Sequence, residues 1–278
     1  MLNHLLMCMF YGVVSGFSEF TPVSASAHNY FFSILLNFDG AWPMLRFFAH
    51  CGALASVVFL YRQRIRHTWD ELRLAALPMQ QRKRPADVET LMNTRLLATA
   101  VPPVLIGALG SAFLSQNGIN LLGTAIFLIV CATLIYVPEY VPGGDRKTGM
   151  MAPLEGLILG VCAGLGVIPG ISGIGLMLAF ALLCKCDRRL IIDNLMLIVA
   201  AMLVAIIVVD LFCVIFSGLA GFSILRFLGC ILAAMASFGG GVGAILMMRH
   251  LAVKIGYSGF AFYNWVLGLA SFILYLMV

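Results

Sequence analysis

The sequence predicts an all-α integral membrane protein with six transmembrane helices and two re-entrant helical hairpins. Of the 278 residues, 62% are hydrophobic and only 10% are charged. A soluble domain carries about 25% charged residues, because water must wet its surface. Six apolar segments are each long enough for a helix that crosses the bilayer, which takes roughly 20 residues. Two further apolar regions are interrupted by polar residues, glycine and proline.

The six uninterrupted segments account for most of the chain. They are Trp42–Tyr61, Thr94–Leu114, Asn120–Val137, Leu190–Phe216, Phe222–Met248 and Ser258–Met277. The interrupted region Leu2–Leu36 contains Glu19, Pro22 and His28. The interrupted region Pro153–Leu183 contains a cluster of glycines around Pro169.

The positions of lysine and arginine predict the orientation. The linker 62–93 holds seven basic residues, and the positive-inside rule places it in the cytoplasm. If both interrupted regions enter and leave on one side, 15 of the 17 lysines and arginines are cytoplasmic, and only Arg46 and Arg226 are outside. This predicts a multi-pass protein of the bacterial inner membrane, with both termini on the outer side. We interpret the linker as a solvated loop that fixes the topology. Because the topology accounts for the positive charge, the charge does not indicate nucleic-acid binding.

A short internal repeat relates the two interrupted regions. At an offset of 148 residues, Gly12 matches Gly160, Gly16 matches Gly164 and Ser24 matches Ser172. Each half then reads as a hairpin followed by three spans. An odd number of spans inverts one half relative to the other, as in many transporters. We therefore predict a single membrane domain with inverted repeats at about 1–140 and 150–278.

The interrupted regions also predict a site for an anion. Irregular backbone at membrane depth is tolerated only inside the protein or beside a water-filled cavity, so we expect the two hairpin tips to meet. Helix starts at Ser24, Ser26 and Ser172 would turn free backbone N–H groups toward that point, and such ends bind phosphate. Gly170 and Gly173 would allow close approach of the backbone to the anion. Packing of the helices is the alternative explanation for these small residues.

Ionisable residues in apolar runs are the remaining candidates. Glu19 could act as a general base, a metal ligand or a proton carrier, because a carboxylate at this depth is costly and usually functional. His28 follows nine residues later, and we expect the two to face one cavity. A structural hydrogen bond is the alternative for each.

Four polar residues on the outer side have two interpretations each. Arg46 and His50 line an entrance, or Arg46 extends to the membrane interface. Asp210 and Arg226 form a structural pair, or Arg226 guides an anionic headgroup.

The run Glu19-Phe-Thr-Pro22-Val-Ser24-Ala-Ser26-Ala-His28 resembles the first motif of the undecaprenyl-pyrophosphate phosphatase family, the bacitracin-resistance type. Pro169-Gly170-Ile-Ser172-Gly173 resembles its second motif. The resemblance covers nearly the whole chain. It implies six spans with two re-entrant hairpins, a polyprenyl pyrophosphate substrate and phosphate release on the outer face.

Carried over residue by residue, the resemblance implies a role for each motif position. It makes Glu19 a base or a ligand of a divalent cation, Mg²⁺ or Ca²⁺, and His28 a nucleophile or general acid. It makes Ser24, Ser26 and Ser172 phosphate ligands. The sequence departs from the family where Ser15 replaces the first motif glutamate, Gly173 replaces the motif arginine and Asn264 replaces a later arginine. We expect Arg226 or Arg46 to replace the missing cations.

These departures leave three functions open. The first is a membrane phosphatase that converts a polyprenyl pyrophosphate into the monophosphate carrier lipid for cell-wall synthesis. The second is a transporter that flips a polyprenyl phosphate without cleaving it. The third is a protein that binds the carrier lipid.

Overall fold

The computed structural model describes residues 2–35, 43–117, 120–217, 223–254 and 256–277. Within these residues the chain forms ten α-helices, numbered here in chain order. They are α1 (Leu2–Glu19), α2 (Ala25–Leu35), α3 (Pro43–Ala76), α4 (Val88–Asn117), α5 (Leu121–Tyr136), α6 (Pro153–Leu165), α7 (Gly173–Leu183), α8 (Arg188–Ser217), α9 (Ile224–Lys254) and α10 (Ser258–Met277). The predicted segment ends Leu36, Trp42 and Phe222 lie outside the described residues.

Six of these helices are long and apolar enough to cross a membrane, which confirms the predicted fold class of an all-α membrane protein. Each contains most of one predicted segment. Their spans are Pro43–Ala76, Val88–Ser111, Leu121–Tyr140, Arg188–Phe216, Ile224–Ala252 and Ser258–Met277. The uninterrupted apolar runs predict these helices, because within the bilayer a helix satisfies every backbone hydrogen-bonding group inside one segment.

Each interrupted region forms two helices separated by a break. The breaks cover residues 20–24 and 166–172. The helices α2, α6 and α7 contain 11, 13 and 11 residues. At a rise of about 1.5 Å per residue they are much shorter than the roughly 30 Å hydrocarbon core. The re-entrant course of these helix pairs and the inverted repeat stay predictions.

Glycines allow the first helix of each pair to contact a long helix from the other half of the chain. α1 packs against α9, and α6 packs against α4. A Cβ atom on Gly12 would lie 2.2 Å from the carbonyl oxygen of Ala233, and one on Gly160 would lie 2.2 Å from that of Ala100. Backbones this close leave no space for a side chain. The two breaks are thereby held within a core of apolar residues from α3, α4, α6, α7, α8 and α9.

The basic linker is mainly helical, so its interpretation as a solvated loop is wrong for most of its length. α3 continues to Ala76 and α4 begins at Val88, with a short 3-10 turn at Met79–Gln81 between them. The sequence from Arg62 to Ala76 contains neither proline nor glycine. Arginine, glutamine and leucine are good helix formers, which explains why the helix extends beyond its apolar part.

Candidate active site

The two breaks contact each other directly through serine hydroxyls. Ser24 precedes α2, and its Oγ accepts hydrogen bonds from the Ala27 amide at 3.2 Å and from the Gly170 amide in the other break at 3.0 Å. Ser172 precedes α7, and its Oγ accepts from the Gly175 amide at 3.1 Å and donates to the Thr21 carbonyl oxygen at 3.5 Å. Each serine therefore caps its own helix and contacts the opposite break, as expected if the tips meet.

The Ser26 hydroxyl extends this junction. It lies 3.0 Å from the carbonyl oxygens of Gly166 and Ile168 and 3.1 Å from Ser24 Oγ. Because Ser24 Oγ already accepts from two amides, its proton points to Ser26 Oγ, and the Ser26 proton is shared by the two carbonyl groups. The protons of both hydroxyls are therefore used by hydrogen bonds within the fold.

Gly170 permits the turn at the second break. Its φ of +98° is one that residues with a side chain rarely adopt, and an added Cβ would lie 2.5 Å from the Thr124 carbonyl oxygen. We predict that Gly170→Ala lowers the free energy of unfolding by about 2–4 kcal/mol, through backbone strain and overpacking. Thermal unfolding of the purified protein in detergent measures this. Gly110→Ala, where a Cβ meets nothing within 4 Å, is the control, and equal melting temperatures for both variants would contradict the prediction.

A cavity of about 440 Å³ lies beside the junction and is lined mainly by residues of α1, α2, α3, α7 and α8. The first residues of α2 and α7 line it, together with four side chains that are acidic, basic or histidine. These are Glu19 from α1, Arg46 and His50 from α3, and Asp210 from α8. Ionisable groups at membrane depth are rare and mark functional sites.

The four side chains form a continuous series of contacts. Glu19 Oε1 lies 3.7 Å from His50 Nε2, and His50 Nδ1 donates to Asp210 Oδ2 at 2.7 Å. Arg46 Nη2 donates to Asp210 Oδ1 at 2.5 Å. Asp210 is fully buried, whereas the side chains of Glu19 and Arg46 keep 15% and 22% of their surface exposed. The buried Asp210 carboxylate therefore holds both an imidazole and a guanidinium group beside Glu19.

Seven of the nine predicted site residues lie at the cavity or at the junction beside it. Glu19, Ser26, Arg46, Ser172 and Gly173 line the cavity, as does the first turn of α7. Ser24 and Gly170 do not, and the structure assigns them to the junction between the breaks instead.

Arg226 is not among the residues that line the cavity, whereas Arg46 is. The predicted pair between Asp210 and Arg226 is also wrong, because Asp210 bonds to Arg46 and His50. Arg226 lies in the first turn of α9, where its amide donates to the Ser223 hydroxyl at 3.2 Å.

His28 does not share a cavity with Glu19, so that expectation is wrong. It lines a second, mainly apolar cavity of about 570 Å³ with Phe17, Phe260 and Tyr263. Its Nδ1 donates to the Ser24 carbonyl oxygen at 2.7 Å, and its Nε2 contacts the Tyr263 hydroxyl at 2.7 Å. Since α2 turns the imidazole away from Glu19 and both ring nitrogens are engaged, the geometry gives no support to His28 as the nucleophile.

The residues at the positions that depart from the family motifs are either buried or packed closely against the backbone of a neighbouring helix. Ser15 is fully buried, and its hydroxyl has no hydrogen-bond partner among the described residues. Asn264 Nδ2 donates to the Pro22 carbonyl oxygen at 2.8 Å and so supports the first break. A Cβ on Gly173 would lie 2.9 Å from the Ala163 carbonyl oxygen. The backbone around Gly173 is therefore closed to a side chain.

Restoring the motif arginine is expected to harm the protein. We predict that Gly173→Arg lowers the free energy of unfolding by about 1–3 kcal/mol, because the α6 backbone must move away from the new Cβ. Gly173→Ala adds only that Cβ and is expected to show part of the same loss in thermal unfolding. Unchanged melting of Gly173→Arg together with faster phosphate release would contradict this account.

For three residues of the cavity, sequence reasoning does not predict the observed contacts. It pairs Asp210 with Arg226 instead of Arg46 and His50, and it gives His50 no partner. Asn29 is the third: it lines the cavity, and its buried Oδ1 has no hydrogen-bond partner within the described residues. The available signal for Asn29 is its position, because it is a polar residue directly after His28 in an apolar run.

The described side chains of this cavity do not form a complete binding site for a divalent cation by themselves. Among the described residues, no three His, Cys, Asp or Glu side chains group as metal ligands would. Both oxygens of Asp210 bond to Arg46 and His50, which leaves Glu19 as the remaining carboxylate of the cavity. Cations such as Mg²⁺ and Ca²⁺ take six or more oxygen ligands, and water and substrate phosphates commonly supply several of them.

Six apolar helices long enough to cross a membrane, together with a charged cavity beside which two broken-helix regions meet, define a multi-pass membrane protein with a polar internal site. The family model described as bacitracin resistance protein BacA matches residues 8–270. The chain belongs to this family.

Curated relatives match it over nearly their full length. An undecaprenyl-diphosphatase from Halothermothrix orenii is 27% identical over 267 residues, which are 96% of each chain. One from Neisseria meningitidis serogroup C is 26% identical over 277 residues, covering 98% of this chain and 96% of the relative. One from Methanobrevibacter smithii is 25% identical over 273 residues, covering 96% of both.

Proposed function

We propose that this protein is a membrane phosphatase that hydrolyses undecaprenyl pyrophosphate to undecaprenyl phosphate and inorganic phosphate. The relatives named above are undecaprenyl-diphosphatases. The observation that carries the proposal here is one cavity in which a carboxylate, an arginine and the start of a helix meet. Those are the groups that hydrolysis of a phosphoric anhydride needs: a base for water and positive charge for the phosphate oxygens.

The terminal phosphate is proposed to bind between Arg46 and α7. Arg46 Nε is buried and has no hydrogen-bond partner among the described residues. The amides of Gly173 and Ile174 precede the first intrahelical hydrogen bond of α7, which the Leu176 amide donates to the Ser172 carbonyl oxygen. Free amides at a helix start and an arginine together bind a phosphate group well. In this arrangement Arg46 replaces the arginine that Gly173 cannot provide.

Glu19 is proposed to be the base that activates water. Its carboxylate lines the cavity and is 15% exposed, so a water molecule bound there can reach it. Water held between Glu19 and the terminal phosphorus attacks in line with the bridging oxygen. The P–O bond to that oxygen breaks, and polyprenyl phosphate leaves.

The membrane location follows from the six spanning helices, and the orientation is part of the proposal. We propose the bacterial cytoplasmic membrane, with both termini outside, on the distribution of lysine and arginine. The α8–α9 connection is then outside, and the cavity lies toward that side because it is lined by Asp210 and Cys213 near the end of α8. Released carrier lipid would serve cell-wall synthesis from the outer face.

Phosphate release by the purified protein tests this proposal against the transport and lipid-binding alternatives. Undecaprenyl pyrophosphate in detergent micelles is expected to give one phosphate per molecule, whereas undecaprenyl monophosphate, which has no anhydride bond, is expected to give none. Liposomes in which the protein moves undecaprenyl phosphate between leaflets without releasing phosphate from the pyrophosphate would overturn the enzyme in favour of the transporter.

A further inference from the structure

The imidazole of His50 lies between two carboxylates, in a position to carry a proton. Its Nδ1 donates to Asp210 Oδ2 at 2.7 Å, and its Nε2 faces Glu19 Oε1 at 3.7 Å. The side chain is buried, with 7% of its surface exposed, and it lines the cavity together with Glu19. Among the described residues, the ionisable groups that face it are Glu19 on α1, Asp210 on α8 and Arg46 on its own helix α3.

Asp210 fixes which ring nitrogen is available. A buried carboxylate that accepts from Nδ1 keeps the proton on that nitrogen and turns Nε2 to the opposite side. Arg46 bonds to the other Asp210 oxygen at 2.5 Å, so this carboxylate is held in place at both oxygens. The ring therefore presents Nε2 to the cavity in a defined orientation.

We propose that His50 is the general acid of the reaction and that Asp210 is its positioning residue, an inference that rests on the proposed phosphatase function. The water oxygen bonds to the terminal phosphorus while its proton passes to Glu19. The bond between that phosphorus and the bridging oxygen breaks, and its electron pair stays on the oxygen. His50 Nε2–H gives its proton to this oxygen, so polyprenyl phosphate leaves with the proton.

A proton transfer between Glu19 and His50, which lie close together, then restores the starting state. After the step, Glu19 is protonated and His50 is neutral. A proton transfer from Glu19 Oε1 to His50 Nε2 across the 3.7 Å separation returns both groups to their original forms. The step balances, because one water enters and its two hydrogens leave on inorganic phosphate and on polyprenyl phosphate. No further reactant is needed.

The dependence of kcat on pH in purified full-length protein tests this role, with undecaprenyl pyrophosphate in detergent micelles as the substrate. Wild type is expected to give a bell-shaped profile, in which the acidic limb reports the base and the alkaline limb the acid. His50→Gln is expected to lower kcat by about 10²–10⁴-fold and to remove the alkaline limb. A residue with only a structural role would lower activity without removing that limb.

The outcomes separate this inference from the proposed function. A wild type that releases no phosphate overturns the phosphatase and the role of His50 with it. An active wild type whose alkaline limb survives in a folded His50→Gln overturns the role of His50 alone. If His50→Gln does not fold, Asp210→Asn carries the test, since the amide no longer fixes the ring tautomer. It is expected to lower kcat by about 10²–10⁴-fold, and a wild-type kcat and profile would overturn the inference.

Discussion

Glu19→Gln is expected to lower phosphate release from undecaprenyl pyrophosphate by about 10²–10⁴-fold, the range that a general base contributes. The amide keeps the size of the side chain and its position beside His50, but it cannot accept a proton from water. Its effect is therefore expected in kcat, with little change in KM, because the substrate is bound mainly by Arg46 and α7. Initial rates of phosphate release over a range of substrate concentrations measure both constants.

Glu89→Gln is the matched control for this change. Glu89 forms an exposed ion pair with Lys147 at 3.0 Å, at the other end of the molecule from the cavity, and such pairs contribute little to stability. The kcat of Glu89→Gln is expected to stay within about twofold of wild type. Loss of a general base has a far larger effect than this. Loss of less than tenfold in folded Glu19→Gln would mean that another group activates the water.

Arg46→Met is expected to reduce both activity and stability. Removal of a donor that stabilises charge in the transition state costs about 10²–10³-fold in rate. The same change leaves the fully buried Asp210 carboxylate with His50 as its remaining partner, and loss of a hydrogen bond to a charged group costs about 1.5–3 kcal/mol. Phosphate release and thermal unfolding of the same preparation measure the two effects.

A double variant tests the contribution of Arg46 to stability. Combining Arg46→Met with Asp210→Asn removes both charges, so the melting temperature is expected to recover relative to Arg46→Met. Arg66→Met, at an exposed position on the same helix, is the control and is expected to retain activity. An equal loss of rate in Arg226→Met, which lies outside the cavity, would contradict the assignment of the phosphate-binding arginine to Arg46.

The spans could be predicted because the information for each is local. An apolar run such as Ser258–Met277 needs no knowledge of the rest of the chain to be recognised, and α10 begins and ends at the same two residues. The breaks could be predicted for the same reason, since Pro22 and Pro169 stand among small residues. Sequence analysis predicts a loop in place of the extension of α3. That prediction rests on the positive charge of the segment and not on its helix-forming composition.

The cavity could be predicted only in part, because its members come from distant parts of the chain. Asp210 meets Arg46 and His50, which precede it by 164 and 160 residues. No local pattern indicates which of several polar residues in separate helices will pair. His28 shows the opposite error: it is near Glu19 in sequence, but α2 directs it to Tyr263 and the second cavity.

The account depends on the diphosphate group binding in the cavity beside the two breaks, and a structure with a bound analogue tests this most directly. The analogue is undecaprenyl methylenediphosphonate, in which a carbon replaces the bridging oxygen and prevents cleavage. We predict that its terminal phosphonate lies within hydrogen-bond distance of Arg46 and of the Gly173 amide, with Glu19 next to the position of the attacking water and His50 next to the bridging carbon. A headgroup bound beside His28 and Tyr263 instead would contradict the account.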